Sequence, residues 1–124
     1  MILFLDDCVY RTKIFVEKYP KAFTTSNSKS MIQMLMQFEA IRYLFLDHDL
    51  FYDTPDTTKV GKVVENTGME VVEWLEKNSS KKIYQIIIHT MNGYAAPVMT
   101  SRLQRVGFNT IMCPFSDLIP QLGR

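Results

Sequence analysis

Residues 42–50 have the sequence RYLFLDHDL, in which a short apolar run ends abruptly in three polar side chains. A continuous apolar run of this length, bounded by polar residues, is typical of a strand buried on both faces of a parallel sheet. Asp47, His48 and Asp49 follow the run directly. The stretch therefore predicts a central strand that delivers acidic and imidazole groups at its carboxyl end.

Two further apolar runs end in the same way. Residues 1–5 (MILFL) precede Asp6 and Asp7, and residues 86–88 (III) precede His89. The carboxyl ends of parallel strands share one edge of the sheet, and ligands bind in the crevice at that edge. We therefore expect both histidines of the chain and four of its aspartates to converge at one place.

The pattern outside these runs predicts alternating strands and helices. Strands are expected at residues 2–6, 21–25, 42–46, 83–88 and 109–112, and helices at 11–19, 28–39, from a capping box at 67–70, from near Pro97 to Gly107, and briefly at 116–122. This alternation predicts a single α/β domain over residues 1–124, a doubly wound five-stranded parallel sheet of flavodoxin-like order 2-1-3-4-5 with a truncated last helix. Residues 50–66 are polar and form a predicted irregular insertion loop.

The composition argues against several functional classes. Lysine and arginine number 14 against 13 acidic residues, so there is no strongly basic field for bulk nucleic-acid binding. No apolar stretch approaches the roughly 20 residues that span a bilayer, and the amino terminus lacks the basic region of a signal peptide. We expect a cytoplasmic protein. Cys8 and Cys113 follow strands that two others separate, which predicts free thiols.

The aspartates suggest a cation. Asp6, Asp7 and Asp47 within a few ångströms of one another would form a hard oxygen site suited to Mg²⁺ or Mn²⁺. In the alternative, one of the strand-end aspartates caps the helix that follows it, as aspartate often does.

The two histidines are candidates for proton transfer near neutral pH. His89 is favoured as the catalytic one, because His48 precedes Asp49 and alternates to the opposite face. His48 or Asp49 would then position the proton-transfer group. A hydrogen-bonded structural role remains the alternative for either imidazole.

Three further side chains are candidates for phosphate binding. Thr90 and Asn92 follow His89 and offer a hydroxyl and an amide. Arg11 lies a turn beyond Asp7 and has the reach to contact an anionic ligand, although an ordinary solvated helix charge is equally compatible with its position.

The layout resembles response-regulator receiver domains over the whole chain. Asp6 and Asp7 match the acidic pair of those domains, Asp47 the phosphoaccepting aspartate, and Thr90 the hydroxyl residue after the fourth strand. Cys113 stands where receivers have lysine. Because that lysine pairs with the phosphoryl group, its replacement argues against ordinary phosphorelay signalling.

A closer resemblance is to the receiver-derived family predicted to process cyclic phosphates. It rests on four short motifs in order: Leu5-Asp6-Asp7, Leu46-Asp47-His48-Asp49-Leu50, Thr67-Gly68 before a helix, and His89-Thr90-Met91-Asn92. This chain has Thr90 where the family has serine, and Phe51 where it tends to have glycine.

The resemblance implies a metal-dependent phosphoesterase that acts on a cyclic phosphate or a related nucleotide or RNA end. The alternative is a non-catalytic receiver-like module that acts through a protein partner. The short last helix alters the face through which receivers contact partners, so this surface is also a candidate for pairing with a second copy.

Overall fold

The computed structural model describes residues 1–50 and 67–122. One sheet runs through this part of the chain, built from β1 (Ile2–Leu5), β2 (Phe23–Thr25), β3 (Ala40–Leu46), β4 (Lys82–Ile88) and β5 (Thr110–Met112). The helices are α1 (Val9–Lys18), α2 (Ser28–Gln37), α3 (Met69–Lys77), α4 (Ala95–Arg105) and α5 (Phe115–Leu122).

All strand pairs are parallel, and their order is β2-β1-β3-β4-β5. The predicted doubly wound fold and its strand order are therefore confirmed. The last helix is described over Phe115–Leu122. The predicted insertion at 50–66 lies, from residue 51 onward, outside the described residues.

Strand register brings the ends of three strands to one level. Leu5 is paired with Leu46, and Leu46 is paired with Ile88. The ladder continues one residue further, because the Asp47 amide donates to the Leu5 carbonyl and the His89 amide to the Leu46 carbonyl, each at 3.0 Å. The residues that follow β1, β3 and β4 are thus side by side.

The alternation of side chains along the strands decides which face these residues share. Phe4, Phe45 and Ile87 pack on one face with residues of α1 and α5, whereas their neighbours pack with α2, α3 and α4 on the other. Asp6, Asp47 and His89 each lie two residues beyond a member of the first set. Because side chains two positions apart in a strand point to the same side, all three face α1 and α5.

Several local expectations need correction. The helix α1 begins at Val9 rather than Arg11, and α4 begins at Ala95, two residues before Pro97. The predicted capping box at the start of α3 does not close: the Thr67 hydroxyl accepts the Met69 amide at 3.3 Å. The Glu70 carboxylate instead accepts a hydrogen bond from Ser28 of α2, at 3.0 Å. A tertiary partner has replaced the local one.

Two expectations about the whole chain can be compared with the described residues. Cys8 and Cys113 are both free thiols, as predicted. Within residues 1–50 and 67–122, none of the helices combines the length and the apolar character that crossing a membrane requires.

Candidate functional site

Asp6, Asp47 and His89 form a buried cluster at the carboxyl edge of the sheet. Each is less than 5% exposed. One ligand atom from each of the three side chains lies within 4.8 Å of those of the other two. The structure thus brings together two of the three predicted metal ligands with the favoured imidazole.

Asp6 is the most heavily hydrogen-bonded member of this cluster. Its Oδ2 accepts from Arg11 Nε at 2.8 Å and pairs with His89 Nε2 at 3.0 Å. Its Oδ1 accepts from Arg11 Nη2 at 2.9 Å and from the Cys8 amide at 2.8 Å. Burial alone would raise the pKa of Asp6, but the hydrogen bonds with His89 and Arg11 outweigh it and lower the pKa to about 2.

Among the described residues, Asp47 has fewer hydrogen-bond partners than Asp6, and its pKa is shifted the opposite way. Its Oδ1 accepts the His48 amide at 2.9 Å, and its Oδ2 lies 3.4 Å from Arg11 Nη2. Burial disfavours the charged form and raises the pKa of Asp47 to about 6; His89 opposes this shift, the charge of Asp6 adds to it, and Arg11 opposes it to a smaller extent. Two neighbouring carboxylates therefore differ strongly in their affinity for a proton.

Arg11 contacts the carboxylates of the chain itself. Its guanidinium bridges the two aspartates, and the hydrogen bond to Asp6 raises the pKa of Arg11 further above its ordinary value. The side chain is 26% exposed. The sequence predicted that Arg11 either binds an anionic ligand or is an ordinary solvated charge on its helix. The structure shows a third arrangement, in which Arg11 forms ion pairs within the protein.

His89 is enclosed by aromatic rings. It stacks on Phe4 with ring centroids 4.8 Å apart and 12° between the planes, and Phe45 and Phe115 lie at 6.4 and 6.2 Å. Its Nδ1 is buried and has no hydrogen-bond partner among the described residues. Among the described residues, Asp6 is therefore the hydrogen-bonding partner of this imidazole.

Beside the cluster, Asp49 is held by two of the other predicted site residues. His48 Nδ1 lies 2.7 Å from Asp49 Oδ1, and the Asn92 amide nitrogen donates to both Asp49 oxygens at 3.3 and 3.4 Å. Asn92 Oδ1 accepts the amides of Tyr94 and Ala95 at the start of α4, both at 3.1 Å. These hydrogen bonds within the protein therefore hold the Asn92 side chain in place without a ligand.

Thr90 is buried directly after His89. Its hydroxyl oxygen accepts the Asn92 amide at 3.1 Å. That bond uses the oxygen as an acceptor and leaves the hydroxyl hydrogen to donate elsewhere.

The cluster opens on a cleft of about 490 Å³. The cleft is lined by Asp7, Cys8, Arg11, Asp47, Asp49, His89, Thr90, Met91 and Asn92. Asp7, the third predicted metal ligand, is in this wall but outside the buried cluster. Of the two histidines, both of which the structure describes, His89 lines the cleft and His48 does not.

Gly68 shapes the site without contributing a side chain. Its amide donates to the His48 carbonyl at 2.9 Å, and Thr67 forms an antiparallel bridge with Asp49. A Cβ atom at Gly68 would stand 1.9 Å from the Asp47 carbonyl oxygen. The sequence showed a glycine just before a helix, but it gave no sign of this close approach.

Cys113 is in a different cavity, among Tyr19, Tyr43 and Leu118. Burial raises the pKa of its thiol. The position that resembles the receiver lysine therefore adds no charge to the cleft, and Arg11 is the cation that contacts both aspartates.

The cluster fits a divalent cation in the type of its donors. Two carboxylates and one imidazole nitrogen are ligands that Mn²⁺ accepts, and carboxylates and water suit Mg²⁺. Asp7, the third predicted ligand, lies in the wall of the cleft beside them. Direct coordination by Asp6 requires one of its present hydrogen bonds to give way.

Comparison with known families agrees with this geometry. The sequence profile of the cyclic-phosphate processing receiver domain matches residues 1–105, which include Asp6, Asp47 and His89. The chain belongs to this family. The cyclic-phosphate processing receiver domains thus include a member with an arginine bridging the paired aspartates.

Among solved structures, the chain is similar to a signal receiver domain from Vibrio parahaemolyticus. The two share 16% sequence identity with a TM-score of 0.61, and the match covers 98% of this chain and 85% of that one. Identity this low supports the receiver-like fold alone. Comparison with curated proteins finds no match.

Proposed function

We propose that the protein is a metal-dependent phosphoesterase that acts on a cyclic phosphate of a nucleotide or RNA end. The observation that carries the proposal is the buried group of Asp6, Asp47 and His89, whose ligand atoms lie within 4.8 Å of one another beneath an open cleft. Two carboxylates buried this closely need a compensating positive charge, which Arg11 supplies in this structure and which a divalent cation would supply more strongly. Membership of a cyclic-phosphate processing family supports the substrate class.

Asp6 and Asp47, together with Asp7 from the cleft wall, would hold the cation. When bound, Mg²⁺ or Mn²⁺ polarises a phosphoryl oxygen and lowers the pKa of a water molecule. The ionised form of Asp47 is required for this, so its raised pKa makes cation binding compete with protons below about pH 6.

His89 would carry the proton between the attacking water and the leaving oxygen. Its bond to Asp6 at the edge of the cleft supports this role. Asp49, held by His48 and Asn92, would accept a hydrogen bond from the substrate or from water. The Thr90 hydroxyl would donate to a phosphate oxygen from the same edge of the cleft.

The test is hydrolysis of 2′,3′-cyclic nucleotides by purified protein with Mg²⁺ or Mn²⁺, followed by ³¹P NMR. We expect conversion to a phosphomonoester that chelator abolishes. Asp47→Asn should remove both turnover and Mn²⁺ binding. Lys13→Gln, an exposed change on α1, should alter neither. If no cyclic phosphate is turned over under any of these conditions, the enzyme proposal fails.

The burial of His89 favours a second candidate function, a receiver-like module that acts through a protein partner. The imidazole is fully buried and packed among three phenyl rings, so it has no direct contact with solvent for proton exchange. Asp47 occupies the position of the phosphoaccepting aspartate.

Acetyl phosphate distinguishes the two functions. A signalling module should be labelled on Asp47, detectable by mass spectrometry, and should keep that labelling in His89→Gln. A phosphoesterase should lose turnover in His89→Gln and show no stable acyl phosphate.

A further inference from the structure

We infer that Arg11 is a resident cation that competes with the divalent metal for the space between Asp6 and Asp47. The inference rests on the cation binding proposed above and concerns how the protein controls it. A single nitrogen, Arg11 Nη2, lies 2.9 Å from Asp6 Oδ1 and 3.4 Å from Asp47 Oδ2. If Asp6 and Asp47 hold the cation as proposed, Arg11 already contacts both of its ligands.

The hydrogen-bonding capacity of Asp6 leads to the same conclusion. Each of its oxygens already has two partners, which is the number of lone pairs on a carboxylate oxygen. Direct coordination of a metal therefore requires at least one partner to leave. The Cys8 amide is fixed by the backbone that leads into α1, and the His89 ring is enclosed by three phenyl rings.

Arg11 is the partner that is free to move. Its side chain is 26% exposed and forms part of the cleft wall, whereas the side chain of Asp6 is fully buried. A long side chain of this kind can turn into the cleft without disturbing the packed core. Its departure also removes the repulsion that a guanidinium would exert on a divalent ion a few ångströms away.

Arg11 thus has two positions with different tasks. Without metal it neutralises the buried aspartates and keeps the two strand ends together. With metal bound it projects into the cleft, where a guanidinium is well suited to a phosphate group. The anion-binding role predicted from the sequence belongs to this second position.

The first test uses wild-type protein and Mg²⁺. In ¹⁵N-labelled protein, the Arg11 Nε–H bonded to Asp6 should give a signal protected from exchange with water. We expect this signal to move to the chemical shift of exposed arginines, or to broaden, as Mg²⁺ is added. The titration is complete when the backbone chemical shifts of Asp47 and His48 no longer change. An Arg11 signal that stays unchanged through that titration overturns the inference.

The second test is calorimetric titration of Mn²⁺ into Arg11→Gln. Removal of the competing charge should tighten Mn²⁺ binding by about tenfold or more. Lys13→Gln is the matched control, since it removes the same charge from an exposed position of the same helix. It should change Mn²⁺ affinity by less than about twofold, because solvent screens an exposed charge.

The outcomes separate this inference from the proposed function. Equal or weaker Mn²⁺ binding by Arg11→Gln overturns the competition and leaves metal-dependent chemistry intact. If Arg11→Gln binds Mn²⁺ and the wild-type protein does not, the competition is supported and the wild-type reaction does not depend on metal. Absence of binding by either protein overturns both proposals. If Arg11→Gln does not fold, the Mg²⁺ titration of wild-type protein decides the question by itself.

Discussion

The close approach of Gly68 to β3 provides a sharp test of the site architecture. An alanine Cβ at this position would lie 1.9 Å from the Asp47 carbonyl oxygen and 3.0 Å from its carbonyl carbon. Real Cβ contacts are rarely shorter than 3.0 Å, so the backbones of β3 and α3 must separate by about 1 Å. Neither is free to do so, because the Gly68 amide is bonded to the His48 carbonyl.

We expect Gly68→Ala to lower the free energy of unfolding by about 2–3 kcal/mol, the upper range for inserting a methyl group into a packed site. Urea denaturation followed by circular dichroism measures this. Gly93→Ala is the control, since a Cβ there meets nothing within 4 Å and φ is not positive. It should be neutral or stabilising by up to about 1 kcal/mol. The same stability in both variants would refute the close-contact argument.

Three further predictions concern the ionisable groups of the site. Because the pKa of Asp47 is raised from 3.8 to about 6, the metal-free protein should lose stability as pH rises from about 4 through 6. Asp47→Asn should remove that loss and raise the free energy of unfolding at pH 7 by about 1–2 kcal/mol, measured by urea denaturation across the pH range. The Asp6 carboxylate has the opposite effect on the free energy of unfolding. Its stabilising contribution is present above pH 3.8 and is lost as pH falls through about 2, so Asp6→Asn should destabilise the protein at pH 7. An Asp47→Asn protein with an unchanged pH profile would contradict the burial argument. His89→Gln should lower cyclic-phosphate turnover by about 100-fold or more, as loss of a general acid–base group does, and His48→Gln by less; equal losses would point to a shared structural effect.

The ends of the strands could be predicted because they are marked by a pattern of neighbouring residues in the sequence. An apolar run followed by aspartate or histidine marks both the strand and the residue at its tip, and parallel pairing then brings the tips together. Asp6, Asp47 and His89 were therefore predictable as neighbours. The alternation of side chains also explains why Asp7, one residue further than Asp6, lies outside the buried cluster.

Contacts made by long side chains and by backbone could not be predicted in this way. The position of Arg11 depends on which of several rotamers its surroundings select, and sequence spacing gave only its reach. Glu70 bonds Ser28 across two helices although a local partner was available in Thr67. The need for glycine at position 68 arises from how closely α3 approaches β3, which only the packed structure specifies.

The bridge between Asp49 and Thr67 has a consequence for how this protein tolerates sequence change. Asp49, just after β3, and Thr67, just before α3, are held to each other by this bridge. Closure entropy depends only weakly on length once the ends are held. A change in the number of residues between Asp49 and Thr67 should therefore cost little free energy and leave the spacing of Asp6 and Asp47 unaltered, as long as the bridge forms.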